Sequence, residues 1–168
     1  MVSVHEPVAE PLRPEDATGT PWSEVRGALA EGQWYWLATV GPNGRPHVVP
    51  VLTVWLDGAL YTTSAAGARK ARNLALDSHC VVTVDNEAMH LVVEGEATKV
   101  RDETKLERVA GVYRSKYEWP ATVRDGAFDA PYGAPTAGPP PYEVYEITPT
   151  VAFGFGTDEK FIPTRWRF

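Results

Sequence analysis

The chain has 168 residues, with 22 acidic and 16 basic side chains and a formal net charge of -6. This length fits one domain with a single core, and the negative charge argues against a general nucleic-acid or membrane-surface partner. No run approaches the roughly 18 consecutive apolar residues of a membrane span. The lone cysteine, Cys80, cannot form an internal disulfide, so we expect a cytoplasmic protein.

The N-terminal segment differs in composition from the remainder of the chain. Residues 1–19 contain four carboxylates, three prolines and few large apolar side chains, which predicts a flexible N-terminal arm. Thr20 and Pro21 then mark a helix start, and Trp22 begins a short amphipathic helix. We therefore place one folded domain at residues 20–168.

The next segments alternate between strands and turns. Aromatic and β-branched residues predict strands at residues 34–40, 46–56, 59–63, 80–85 and 90–100. The first two hairpins turn at residues 41–44 and at Asp57-Gly58. A short helix is expected over residues 68–76.

The C-terminal half adds a helix, a long excursion and closing strands. Asp102 is expected to cap the helix. Residues 116–141 are rich in glycine and proline but keep Trp119, Phe128 and Tyr132, so this excursion is a lid, a dimer contact or packing over the core. Two further strands are expected at residues 142–147 and 151–155. Six or seven strands separated by single short helices predict a mainly β, antiparallel barrel or sandwich.

A basic cluster stands out after the third predicted strand. Arg69, Lys70 and Arg72 crowd the first turn of a predicted helix that follows Thr62 and Thr63. The positive pole of a helix start disfavours cations. A bound anion would remove this conflict, and free backbone N–H groups with nearby hydroxyls would complete a phosphate site. A solvated basic turn without a ligand is an equal alternative.

The remaining side chains offer no self-sufficient chemistry. The four histidines are scattered without the spacing of a metal site, and no serine nucleophile turn is present. We therefore expect no metal and no catalytic side chain. A phosphate site, apolar strands and six tryptophans suit a planar aromatic cofactor with a phosphate, which performs the hydride chemistry while the protein supplies geometry.

Four short segments stand in a distinctive order along the predicted sheet. They are Gly44-Arg45-Pro46-His47, Leu60-Tyr61-Thr62-Thr63, Arg69-Lys70-Ala71-Arg72-Asn73-Leu74 and His90-Leu91-Val92-Val93-Glu94-Gly95. Over about residues 22–100 the chain resembles the pyridoxamine 5'-phosphate oxidase-like superfamily. The resemblance implies a split β-barrel, a six- to seven-stranded antiparallel Greek key. It also implies a homodimer that binds FMN or the 5-deazaflavin coenzyme F420 in a cleft between its subunits.

The resemblance also implies which residues hold the cofactor. The phosphate positions match Tyr61, Thr62, Arg69 and Lys70, and residues 49–52 fall on the strand whose backbone faces the ring. The full implied set is Val49, Pro50, Val51, Leu52, Tyr61, Thr62, Thr63, Arg69, Lys70, Asn73, His90 and Trp166.

Several departures from the pyridoxamine phosphate oxidases point to another branch. His90 stands where those oxidases use a glutamine, and the strand before it lacks their Arg-x-Val-Leu-Leu-Lys pattern. Pro50 and the ending at residues 164–168 resemble the flavin/deazaflavin oxidoreductase branch. This implies an oxidoreductase that transfers hydride from reduced coenzyme F420 to a small unsaturated or heteroaromatic substrate. An FMN-dependent oxidase or reductase, and a non-catalytic flavin- or haem-binding protein, remain alternatives.

Overall fold

The computed structural model describes residues 6–168, which form eleven strands and three helices. The strands are β1 (Val8–Pro11), β2 (Tyr35–Val40), β3 (Pro46–Val51), β4 (Thr53–Leu56), β5 (Ala59–Ser64), β6 (His79–Asp85), β7 (Met89–Lys99), β8 (Thr122–Arg124), β9 (Ala127–Asp129), β10 (Glu143–Gly156) and β11 (Thr164–Arg167). The helices are α1 (Trp22–Glu31), α2 (Arg69–Leu76) and α3 (Glu103–Tyr117). Within this part of the chain, no helix combines the length and apolar character needed to cross a membrane.

One antiparallel sheet of nine strands organises the molecule. Its order is β1-β11-β10-β7-β6-β2-β3, and β10 also pairs with β5, which in turn pairs with β4. β3 and β4 end separate branches of the sheet but are consecutive in sequence, so the sheet curls and Leu52 joins its ends. The predicted mainly β, antiparallel fold is confirmed.

The strand boundaries differ from the prediction at two places. The predicted strand at residues 46–56 breaks at Leu52 into β3 and β4. The two strands predicted at residues 142–147 and 151–155 are instead the single long β10, whose register shifts between Pro149 and Val151. An irregularity of this kind accommodates a proline within a strand, which explains why the sequence pattern suggested a break.

Part of the predicted flexible arm belongs to the sheet. Residues 8–11 form β1 and pair antiparallel with β11, and Arg165 Nε donates a hydrogen bond of 2.9 Å to the Glu10 carboxylate. This corrects the expectation for these residues, because their backbone partners lie at the far end of the sequence. Residues 1–5 of the arm lie outside the described residues.

The buried apolar side chains form two clusters. The first lies inside the curled sheet and includes Trp22 and Trp166, whose ring centroids are 5.3 Å apart. The second lies between the sheet and α3 and includes Tyr113 together with Trp119 and Phe128 of the long excursion. The excursion therefore packs Trp119 and Phe128 against α3, whereas Tyr132 is exposed.

Candidate functional site

Helix α2 is fastened to β2 at the edge of the curled sheet. Ala71 and Leu74 of α2 are buried in the first core cluster. The buried Asn73 donates a hydrogen bond of 3.0 Å from Nδ2 to Thr39 Oγ1 on β2. The structure confirms the predicted helix, and it gives Asn73 a role in placing that helix.

The start of α2 combines unpaired backbone donors with cations. No side chain caps this end of the helix, where Ala68 is the capping residue, and its first turn holds no acidic residue. The first N–H groups of an α-helix have no acceptor within the helix. Arg69 and Arg72 are exposed, whereas Lys70 is half-buried, and this burial lowers the pKa of Lys70. An anion bound here would offset both the missing acceptors and the unfavourable position of the cations.

His47 on β3 lies within the electrostatic reach of this cluster. Burial lowers the pKa of His47, and the charges of Arg69 and Lys70 lower it further. The helix start and the N-terminal half of β3 are therefore neighbours. Sequence analysis did not assign His47, although the two-residue period of a strand places it on the same face as Val49 and Val51.

Strand β3, which carries His47, also has a free backbone edge. Among residues 6–168 it pairs only with β2, so one side of its backbone has no strand partner. Its side chains alternate between half-buried residues such as Val49 and Val51 and exposed residues such as Val48 and Pro50. Free backbone groups can hydrogen-bond to the polar rim of a planar ring. Residues 49–52 are thus suitably placed for their predicted role, although their side chains do not all share one face.

The hydroxyl groups predicted on β5 are only partly available. The Tyr61 side chain belongs to the second core cluster and is 2% exposed, and its burial raises the pKa of Tyr61 to about 12. Thr62 donates a hydrogen bond of 3.1 Å to the carbonyl of Leu52, while Thr63 is half-buried. The structure therefore does not bring the Tyr61 side chain to the cations.

An open pocket of about 610 Å³ lies on the exposed side of α2. The side chains that line it come from the β2–β3 turn and from α2, and they are Pro42, Asn43, Arg69, Arg72, Asn73 and Leu76. Arg69 is therefore shared between this pocket and the helix start. Pro42 and Asn43 are not among the predicted site residues, because only the folded chain brings this turn beside α2.

Two other predicted site residues lie away from the cluster. His90 is exposed on β7, and its Nδ1 lies 2.9 Å from the Asp85 carboxylate. Asp85 follows Val84, which pairs with Tyr35 at the start of β2. Thr39, which binds α2, lies near the other end of β2. Trp166 is fully buried, and its indole N–H donates a hydrogen bond of 2.8 Å to the carbonyl of Thr20. The structure does not bring either side chain to the start of α2.

The sequence matches the family model described as pyridoxamine 5'-phosphate oxidase over residues 22–154. This match covers all three helices, the strands from β2 to β9 and most of β10. Among curated proteins, none shows a significant match to the chain.

Several solved structures share the fold. General Stress Protein 26 from Bacillus anthracis str. Sterne has a TM-score of 0.61 and 18% identity, with 87% of this chain and 97% of that chain covered. An F420 reductase has a TM-score of 0.55 and 21% identity, with coverages of 76% and 94%. A pyridoxamine 5'-phosphate oxidase-related, FMN-binding protein from Nostoc punctiforme PCC 73102 has a TM-score of 0.57 and 18% identity, with coverages of 88% and 89%. At these identities the similarity shows the fold, and the predicted split β-barrel class is confirmed.

Proposed function

The chain belongs to the pyridoxamine 5'-phosphate oxidase family, and from this premise we propose that it is a cofactor-dependent oxidoreductase. Its cofactor is reduced coenzyme F420, and its reaction is hydride transfer to a small unsaturated or heteroaromatic substrate. The observation that carries the proposal is the uncapped start of α2, with Arg69 and Lys70 within electrostatic reach of His47 on β3, a strand with one unpaired edge.

The residues present fit a phosphate-bearing ring. Arg69, Lys70 and the first N–H groups of α2 would hold the phosphate, because charged donors and a helix start both favour an anion. The backbone of residues 49–52 would orient the ring through the unpaired edge of β3. When bound, the reduced cofactor supplies the hydride, and the protein supplies binding and orientation.

The additional arginine of α2, Arg72, favours the deazaflavin over FMN. Arg72 lines the open pocket together with Arg69, beyond what a single phosphate needs. The longer anionic tail of coenzyme F420 would use this additional charge. The FMN alternative keeps one phosphate and a similar ring, so it needs Arg69 and Lys70 but not Arg72.

The outer face of the sheet supports the proposal of a homodimer. Trp36 and Val48 are 45% and 55% exposed, and the register places Pro50 beside Trp36 and Val81 beside Ala38. An antiparallel sheet with one solvated face normally alternates apolar with polar residues. Here the exposed face of β2 and β3 is apolar, as expected of a surface that a second copy covers. The cofactor would then lie between two subunits.

Parallel titrations of the purified protein with coenzyme F420 and FMN test this proposal. Cofactor fluorescence gives both dissociation constants, and reduced F420 is then offered a panel of small unsaturated and heteroaromatic acceptors. Tighter binding of F420 with oxidation by an acceptor is the expected result. Tighter binding of FMN favours the FMN-dependent alternative. Binding without turnover favours a non-catalytic flavin-binding protein, and binding of neither cofactor contradicts the proposal.

A further inference from the structure

The junction between β3 and β4 is held by side chains from α3. The carbonyl of Leu52 lies 2.8 Å from the Tyr113 hydroxyl. At Thr53, the Tyr117 hydroxyl donates to the carbonyl over 2.6 Å and accepts from the N–H over 3.1 Å. The last turns of α3 therefore fix the backbone at the point where residues 49–52 end.

Lys116 connects this junction to the neighbouring strand. Its Nζ donates a hydrogen bond of 2.6 Å to the Tyr35 hydroxyl and another of 3.2 Å to the carbonyl of Thr53. Tyr35 is the cross-strand neighbour of Val51, the last residue of β3. A single ammonium group thus joins β2 and β4 on the two sides of the end of β3.

The surroundings of Lys116 are aromatic and largely buried. Its Nζ lies 4.5 Å from the ring centroid of Tyr35 and 5.3 Å from that of Tyr117, distances that allow cation–π attraction. Tyr35 itself is 1% exposed, and its hydroxyl donates in turn to the carbonyl of Leu29 at the end of α1. The network therefore reaches from α3 through β2 to α1.

We propose that Lys116 is a positioning residue for the cofactor, because it holds Tyr35 and Thr53 together and so fixes the end of the free β3 edge. This inference rests on the proposed function, in which residues 49–52 face the ring. Small displacements of a supporting group shift a binding edge, and sites depend on such support from outside the ligand contacts. Lys116 acts through the backbone of β3, whereas Arg69 and Lys70 contact the phosphate.

The test compares the F420 dissociation constants of four proteins at a temperature where all are folded by circular dichroism, with FMN measured in parallel. Lys116→Met keeps the aliphatic stem and removes both donated hydrogen bonds, and we expect binding about 5- to 20-fold weaker. Lys116→Gln restores two N–H donors and should recover part of this loss. The matched control is Lys105→Met on the same helix, because Lys105 pairs with Glu146 away from the junction. It should stay within about twofold of wild type.

A second variant keeps the test decisive if Lys116→Met does not fold. Tyr35→Phe removes the acceptor of the lysine on β2 and should also weaken binding of F420. In a double-mutant cycle the effects of Tyr35→Phe and Lys116→Gln on binding should be non-additive, because the part of the loss that glutamine does not recover arises at the contact with Tyr35. Full additivity, or unchanged affinity in Lys116→Met and Tyr35→Phe, overturns the inference while the proposed function stands. A wild-type protein that binds neither F420 nor FMN overturns both.

Discussion

The two ends of β3 differ in how far the protein satisfies its own polar groups. Near the N-terminal end lies the start of α2, whose first backbone N–H groups have no capping side chain. Neither Arg69 nor Lys70 of this helix has a carboxylate partner in the described part of the chain. At the C-terminal end, about 17 Å away along an extended strand, α3 supplies hydrogen bonds to both Leu52 and Thr53. The contrast separates two tasks. The unsatisfied end is suited to attract an anionic ligand, and the satisfied end is suited to hold the binding edge in place.

The largest effect of a single substitution is expected on the outer face of the sheet, which we propose to be the dimer surface. A second copy that covers this face would also cover the N-terminal end of β3. Trp36→Glu should then weaken the dimer by at least about 30-fold, since a charge would replace a central aromatic contact. Sedimentation velocity over a concentration series measures the change. Tyr132→Glu is the control for adding a charge at another exposed aromatic residue, because Tyr132 is 57% exposed and belongs to the excursion, not to β2 or β3. A wild-type protein that is monomeric throughout the series contradicts the dimer.

The two ends should differ in their contribution to stability. Tyr117→Phe removes the hydroxyl that serves both backbone groups of Thr53, and we expect a loss of about 1 to 2 kcal/mol in the free energy of unfolding. Arg69→Ala removes an exposed side chain and should change it by less than about 0.5 kcal/mol. Urea denaturation of the cofactor-free protein measures both values. Equal losses in the two variants would remove the distinction between the ends.

Lys116 should make the satisfied end sensitive to pH. Burial lowers the pKa of Lys116 to about 8, from an ordinary value of 10.5. Between these two pKa values the unfolded chain keeps a proton on Lys116 that the folded chain loses, so the contribution of Lys116 to the free energy of unfolding should rise with pH from about 8 to about 9.5. Burial raises the pKa of the neighbouring Tyr35 and Tyr117, so neither ionises in the folded protein over this range.

The control for this pH dependence is Lys116→Met, in which the rise should be smaller than in wild type. Urea midpoints at several pH values in one buffer series give the comparison. Identical slopes in the two proteins would show that Lys116 titrates as it does in the unfolded chain.

The smallest effect is expected at His47, which reports on the unsatisfied end. Burial, followed by the charges of Arg69 and Lys70, holds the pKa of His47 below its ordinary value. A phosphate bound to those cations would cancel part of their field and raise this pKa. NMR titration of the imidazole resonances with and without FMN or F420 measures the shift. No change at saturating cofactor would place the phosphate elsewhere.

The elements that depend on local chemistry were predictable from the sequence. Asp57 and Gly58 adopt positive φ values of 51° and 83° in the predicted hairpin turn. Asp102 accepts the capping hydrogen bond from the N–H of Lys105, as its position before α3 indicates. The helix start at Arg69 follows from the same kind of local pattern.

The long-range arrangement was less predictable. The break at Leu52 is not visible in a continuous run of apolar and β-branched residues, because it depends on side chains that α3 brings from more than 60 residues away. Lys116 has no local pattern that distinguishes it from a solvated helical lysine. The resemblance implies a cofactor role for Trp166, and the structure encloses its side chain in the first core cluster. Sequence spacing does not specify which side of a curled sheet a distant strand will face.

The proposed function depends most directly on the cations at the start of α2, which we expect to bind the phosphate of the cofactor. The most direct measurement is the F420 dissociation constant of the double variant Arg69→Ala, Lys70→Ala beside wild type, with FMN in parallel. Each charged hydrogen bond contributes about 1.5 to 3 kcal/mol, so we expect binding at least about 100-fold weaker while the fold is retained. Unchanged affinity for whichever cofactor binds wild type would contradict the phosphate assignment.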